Sequence, residues 1–206
     1  MSFDALLTSA QMLVLRQRKE LAELFGFETR NKYEIFSQTG TSIGFAAEQQ
    51  KGILGMLLRQ VLGHWRRFDL HVFDSSRQPV MTARHPFRFF FQRMEVFETA
   101  TNRPLGALQQ RFAFLHKKFD VESPDGHIIM QVASPLWRIW TFPFTRGGQE
   151  CAVITKKWSG SLTEVFTDAD NFVVHFADPA LKADERKLLL AAALFIDLQY
   201  FERKAR

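Results

Sequence analysis

The chain of 206 residues is long enough for one barrel-sized domain and short for two. Its hydrophobic content of 46% and charged content of 24% are ordinary globular values, which excludes a chain that is disordered throughout. The net charge of +5 comes from scattered basic pairs, which excludes a dense basic tract but is compatible with an anionic membrane surface, with nucleic acid, or with solubility alone.

The first segment, Asp4–Leu24, has apolar and charged residues at helical spacing. It predicts an amphipathic helix, which Ser9 could interrupt and which Gly26 ends. From Asn31 the pattern changes to short strands separated by turn residues. We therefore expect an N-terminal helical segment over residues 1–26 and one barrel domain over residues 27–206.

The 22 phenylalanines against 2 tyrosines favour a β-rich core, because bulky apolar side chains suit pleated strands. Strands on either side of residues 38–40 predict a hairpin. For Ile53–Trp65 the apolar spacing fits either a helix or a strand and loop in a barrel wall, and the sequence leaves both open.

The middle of the chain repeats a unit of strand, polar turn and strand roughly every 25 residues. The three units are Phe68–Met81, Met94–Leu108 and Phe119–Val132. Repeated hairpins at this spacing indicate an up-and-down sandwich or barrel. A total of about ten or more strands favours closure, because a closed barrel has no exposed edges.

The last element, a helix predicted over about residues 183–202, is apolar without interruption from Leu188 to Ile196. A helix that is apolar on every face must be surrounded on every face. This stretch rises only ~14 Å, against a hydrocarbon core of ~30 Å, and Asp197 follows it, so a membrane span is the weaker interpretation. We expect a barrel to enclose this helix. Its predicted core residues are Leu188, Leu189, Leu190, Leu194, Phe195 and Ile196.

Several segments resemble the phospholipid scramblase family, in order along the chain from about Gly26 onward. The segments are Phe27–Thr29, Asn31–Ile35, Gly44–Glu48, Pro86–Arg88, Ile154–Gly160, Glu164–Phe172, Leu194–Leu198 and Tyr200–Glu202. Asp-Ala-Asp-Asn-Phe, at residues 168–172, is the most specific stretch. The resemblance implies a mainly β fold, a tubby-like closed antiparallel barrel of about twelve strands around a C-terminal helix. It also implies a link to ATP-independent movement of phospholipids between leaflets.

The family's proposed calcium loop matches the segment that begins at Asp168. Asp168 and Asp170 fit its first and third ligand positions, but Val173 stands where such a loop needs glycine and Pro179 where it needs a carboxylate. We expect at most a weak Ca²⁺ site there, and no other cofactor.

Animal members of the family carry palmitoylated cysteines after the Pro-x-Arg stretch. Here Phe89–Arg93 occupies that position, so this lipid anchor is not expected. The phenylalanine run either inserts into a membrane itself or alternates within a strand, with Phe87, Phe89 and Phe91 on one side. We favour the strand.

The sequence contains no Gly-rich phosphate loop, no Cys/His metal spacing and no Gly-x-Ser-x-Gly elbow, so we expect no enzyme. Lys156, Lys157 and Trp158 predict a site for an anionic headgroup, with solvated strand residues beside a core tryptophan as the alternative. The single cysteine, Cys151, excludes an internal disulfide and indicates a reducing compartment. Because the N-terminus lacks the pattern of a secretory signal, we expect a cytoplasmic protein that is peripheral at a membrane.

Two functional hypotheses follow. The first is a scramblase-like protein that binds or moves phospholipids, with phospholipid or an anionic membrane surface as its partner and no nucleic acid. The second is a soluble binding or scaffold module for a lipid headgroup, nucleic acid or protein, without transport activity.

Overall fold

In a computed structural model, the structure describes residues 1–18, 29–49, 67–88, 90–112, 116–135, 137–138, 140–157 and 171–201. The elements, in chain order, are α1 (Phe3–Ser9), β1 (Met12–Gln17), β2 (Thr29–Ser37), β3 (Ser42–Gln49), β4 (Phe68–Asp74), β5 (Pro79–His85), β6 (Arg93–Glu98), β7 (Pro104–Arg111), β8 (His116–Glu122), β9 (Ile128–Pro135), β10 (Thr141–Arg146), β11 (Gln149–Lys157), β12 (Asn171–Phe176) and α2 (Ala183–Ile196). A π-helical turn, Asp197–Phe201, continues α2.

The described strands form a closed barrel of twelve strands in sequence order. Each strand is antiparallel to its neighbours, and β12 closes on β1 through pairs such as Met12 with His175 and Arg16 with Asn171. Closure leaves no edge strand of the barrel unpaired. The structure thus confirms the predicted fold class of a mainly β, closed antiparallel barrel with an N-terminal and a C-terminal helix.

Alternating side chains along each strand point into the barrel, as the pleat requires. In β4, for example, Phe68, Leu70 and Val72 are buried, whereas the residues between them are only partly so. The interior that these side chains line is filled by α2, which is buried from Arg186 to its end. All six predicted core residues of the helix, from Leu188 to Ile196, are at most 1% exposed.

The N-terminal end of α2 is fixed by two buried cations that contact α1 and the residue after it. The Arg186 guanidinium donates hydrogen bonds to the backbone carbonyl oxygens of Leu7, at 3.0 Å, and of Ala10. Lys187 Nζ lies 2.7 Å from Asp4 Oδ1, and its side chain is only 2% exposed. Because a buried cation without partners is costly, these contacts fix where the helix enters the barrel.

The predicted helix over Asp4–Leu24 is wrong for Met12–Gln17, and residues 19–24 lie outside the described residues. The helix ends at Ser9, and Met12–Gln17 forms β1, which pairs with both β12 and β2. Leu13 and Leu15 both point into the core of the barrel. Hydrogen bonding to two strands, together with this burial, outweighs the helical preference that the apolar spacing of the segment indicates. β1 therefore belongs to the barrel, while Ile53–Trp65 lies outside the described residues.

In the part of the chain that the structure describes, no helix combines the length and the hydropathy that crossing a membrane would require.

The helix core can be tested by Leu190→Ala. Because Leu190 is 0% exposed inside the barrel, we expect the free energy of unfolding to fall by about 2–5 kcal/mol. Denaturant unfolding followed by circular dichroism measures it. Ile128→Ala is the control, since Ile128 is 49% exposed and a surface change should stay within about 0.5 kcal/mol. Equal effects of the two variants would contradict an enclosed helix.

Candidate functional site

The two ends of the barrel differ in their connections. Because consecutive strands are antiparallel, the connections that follow β1, β3, β5, β7, β9 and β11 lie at one end, here called the loop end. The remaining connections between strands, together with α1, lie at the opposite end, here called the turn end. α2 enters at the turn end, so its C-terminus and the π-helical turn lie at the loop end.

Among the residues that the structure describes, exposed aromatic side chains are concentrated at the loop end. Five of the large hydrophobic residues that are exposed come from its connections: Phe87 (43%), Phe90 (80%), Phe91 (46%), Phe112 (75%) and Trp137 (74%). We call these five residues the aromatic rim. In the described ranges, the other exposed large hydrophobic residues are Met1 and Ile128, and Ile128 lies at the turn end.

Buried amide side chains hold the rim loop between β5 and β6 in place. Gln92 Nε2 donates to the carbonyl oxygen of Arg88 at 3.1 Å, and Gln109 Nε2 donates to that of Phe91 at 3.1 Å. Phe91 has a left-handed backbone, φ 50°, which costs a residue with a Cβ about 1–2 kcal/mol. Its ring meets that of Phe112 edge to face, with centroids 6.4 Å apart. These contacts join two loops of the rim.

The loop between β9 and β10, which carries Trp137, is held in a similar way. The Ser134 hydroxyl is buried and donates to the carbonyl oxygen of Thr141 at 2.7 Å. The Arg138 backbone N–H donates to the carbonyl oxygen of Pro135 at 3.0 Å. The first bond joins the ends of β9 and β10, and the second ties the residue after Trp137 to the end of β9.

The expected strand with Phe87, Phe89 and Phe91 on one side is wrong for the residues that can be placed. β5 ends at His85 and β6 begins at Arg93, so Phe87 and Phe91 lie in a loop, while Phe89 lies outside the described residues. Pro86 has no backbone N–H, so it cannot donate a hydrogen bond to a neighbouring strand. The carbonyl oxygens of Arg88 and Phe91 are instead bonded by the side chains of Gln92 and Gln109.

Positively charged residues lie in the same connections of the loop end as the aromatic rim or in neighbouring ones. Among the connecting residues described at the loop end there are four arginines and no carboxylate. Arg18 pairs with Glu34 of β2 at 3.1 Å, whereas Arg67, Arg88 and Arg138 are exposed. The charge that the described connections of this end present to the solvent is therefore positive.

A buried polar cluster lies beneath the rim, where α2 passes into the π-helical turn. Tyr33 Oη donates to Asp197 Oδ2 at 2.7 Å, and Lys156 Nζ lies 3.7 Å from Asp197 Oδ1. The Lys156 ammonium also lies 4.4 Å from the ring centroid of Phe201, on which Trp140 stacks at 5.0 Å. The cation and the hydroxyl compensate a carboxylate that is only 6% exposed.

Of the three predicted headgroup residues, only Lys156 has a described side chain, and it is not at the surface. Lys156 is 7% exposed, and its ammonium faces Asp197 inside the barrel. The side chain of Lys157, together with Trp158, Asp168 and Asp170, lies outside the described residues. Within the ranges that are described, no group of three or more histidine, cysteine, aspartate or glutamate residues could hold a metal ion.

A shallow pocket at the turn end, about 290 Å³ in volume, is lined by Cys151, Arg146, Glu150 and Asp178 among others. Burial raises the pKa of the Cys151 thiol. A thiol that stays protonated is a poor nucleophile, so this pocket offers no reactive cysteine.

Sequence reasoning missed the aromatic rim as a unit, because its members come from three connections that are distant along the chain. A local signal did exist. Phe87, Phe112 and Trp137 each stand within two residues of the end of a strand, where polar turn residues are usual.

The family model described as Scramblase matches residues 1–203. The chain is 30% identical to phospholipid scramblase 2 of Homo sapiens, covering 96% of this chain and 69% of that protein. It is 31% identical to phospholipid scramblase 1 of Mus musculus, covering 94% of this chain and 61% of that protein. A solved structure of an Arabidopsis thaliana protein is 14% identical with a TM-score of 0.48, covering 96% of this chain and 94% of that one. The chain thus spans between 61% and 69% of the two mammalian proteins.

The polar cluster can be tested by Tyr33→Phe, which removes the hydroxyl donor to Asp197. We expect a loss of about 1.5–3 kcal/mol in the free energy of unfolding, the usual contribution of a hydrogen bond to a charged group. Tyr200→Phe is the matched control. Burial raises the pKa of Tyr200 and a hydrogen bond with Gln110 opposes that shift, so its bond is to a neutral amide. Chemical denaturation should show the smaller loss for Tyr200→Phe, and the reverse order would refute the assigned role of Asp197.

Proposed function

Since the chain belongs to the scramblase family, we propose that it binds membrane phospholipids and promotes their ATP-independent movement between leaflets. The family match over residues 1–203 is the observation that carries the proposal, because it spans the barrel and the helix within it. Relatives named phospholipid scramblase indicate the substrate class.

Such movement requires no bond to form or break, and it runs toward equal composition of the leaflets. The obstacle is the cost of taking a polar headgroup through hydrocarbon. We therefore propose a binding protein without catalytic chemistry, which acts at the cytoplasmic surface of a membrane.

The filled interior limits how lipid could be handled. Leu190 and Phe195 are at most 1% exposed, and α2 occupies the barrel axis along its length. This packing supports a lipid contact on the outside of the barrel rather than within it.

A reconstituted assay tests the proposal. Vesicles carry a fluorescent phospholipid in both leaflets, and a membrane-impermeant reductant bleaches the outer copies. We expect the added protein to make the inner copies accessible as well, without ATP. Vesicles without protein and vesicles with a heat-unfolded sample are the controls. If the protein co-sediments with the vesicles and the inner copies stay protected, transport is refuted and only lipid binding remains. If no phospholipid vesicle is bound at low salt, the alternative of a module without lipid function is favoured.

A weak calcium site at Asp168 and Asp170 stays a prediction. We expect calcium to raise the melting temperature only at roughly millimolar concentration, because a site with few carboxylates binds weakly. Differential scanning fluorimetry measures the shift, which the double variant Asp168→Asn with Asp170→Asn should abolish. A saturable shift at micromolar calcium would contradict the weak site, and a shift that persists in the double variant would place calcium elsewhere.

A further inference from the structure

We propose that the aromatic rim, together with Arg67, Arg88 and Arg138, is the surface by which this protein docks onto an anionic phospholipid bilayer. The proposal rests on the proposed function in that lipid is the ligand. It adds which face of the barrel meets the membrane and which side chains enter it.

The contrast between the two ends supports this choice. The described connections at the turn end are polar, and they include residues 38–41, 75–78, 99–103 and 123–127. Leu181, which follows β12 at the same end, is only 1% exposed. At the turn end the described exposed large hydrophobic residues are Met1 and Ile128, whereas five aromatic residues are exposed in the connections of the loop end. Phe91 and Phe112 of this end are in contact, and exposed large apolar side chains grouped on one face mark an interaction site.

The chemistry of the rim fits the interfacial layer of a bilayer. Aromatic rings are enriched at that depth, where tryptophan has an apolar body and a polar N–H. Phe90, Phe112 and Trp137 are the most exposed residues of the rim, at 80%, 75% and 74%. When an exposed ring becomes buried among acyl chains, its whole apolar surface leaves water, and the transfer free energy of that surface stabilises the bound state.

The rim is held in its exposed form rather than free to fold back. Gln92 and Gln109, only 3% and 7% exposed, hold the carbonyl groups on either side of Phe90. In the loop of Trp137, the Arg138 N–H donates to the carbonyl oxygen of Pro135, and the Ser134 hydroxyl lies 3.4 Å from the carbonyl oxygen of Arg138. A surface that is ordered before binding loses less conformational entropy on docking.

Charge complementarity selects the kind of membrane. Arg67, Arg88 and Arg138 are exposed in the described connections of the loop end. Each basic residue near an anionic surface strengthens binding about fivefold at low salt. Long arginine side chains reach headgroups while the rings enter the layer beneath. The occupant is therefore a bilayer with anionic headgroups.

This orientation places the end of α2 against the membrane. Phe201 of the π-helical turn stacks on Trp140, three residues from Trp137 of the rim. Docking through the rim would therefore put the polar cluster around Asp197 directly below the headgroups, with the turn end facing away from the bilayer.

The experiment is sedimentation of the full chain with vesicles of equal amounts of phosphatidylcholine and phosphatidylserine, and with phosphatidylcholine alone, at low salt. The rim variant combines Phe90→Ser with Trp137→Ser. Its control is Ile128→Ser at the turn end, where Ile128 is 49% exposed. The charge variant is Arg138→Gln, with Arg77→Gln of the turn end as its control. Because all these side chains are exposed, the melting temperatures should stay close to that of the parent.

We expect the rim variant to lower the partition coefficient on anionic vesicles at least tenfold, as the loss of a buried ring implies. Arg138→Gln should lower it about fivefold on anionic vesicles and leave it unchanged on phosphatidylcholine. Both turn-end controls should bind as the parent does.

Three outcomes would overturn the docking surface. If the parent binds and the rim variant binds equally well, the surface is wrong while the proposed lipid function stands. If the parent binds neither kind of vesicle, the docking surface and the lipid-binding part of the proposed function both fail. If the parent is a dimer in solution that the rim variant dissociates, and vesicle binding does not change, the rim is a contact between copies of this chain.

Discussion

The need to enclose a helix that is apolar on every side governs this structure. From Leu188 to Ile196 no face of α2 is polar, so each face must meet other apolar side chains. A flat sheet would cover one face, whereas a closed barrel covers all of them. Closure also pairs the first strand with the last. The closed barrel therefore both buries the helix and leaves no sheet edge unpaired.

Charged groups set the position of the helix along the barrel axis. Arg186 and Lys187 bind α1 and its following residue at the turn end, and Asp197 meets Tyr33 and Lys156 at the loop end. Apolar packing tolerates sliding, but buried charges lose their partners when they move. The two sets of contacts fix the register of α2 and leave the interior filled, so that binding of another molecule falls to the outside.

The same closure gives the two ends of the molecule different surfaces. Connections alternate between the ends, so residues that are far apart in the chain meet on one rim, as Phe91 and Phe112 do. The turn end joins strands with polar residues and holds α1, which closes the barrel there. The described connections of the loop end combine exposed rings with arginines, and this is the face that we propose docks onto a membrane.

The sequence by itself determined the enclosed helix and the antiparallel barrel, because the apolar run from Leu188 to Ile196 and the repeated hairpins are local patterns. Whether Met12–Gln17 would be helix or strand was decided by its pairing with β12 and β2, which lie close in space and not in sequence. The sequence predicts that Lys156 is a surface cation, whereas the tertiary structure places its ammonium opposite Asp197 inside the barrel. The aromatic rim likewise exists only after closure, since its members share no local pattern and meet because the strands that carry them are neighbours in the barrel.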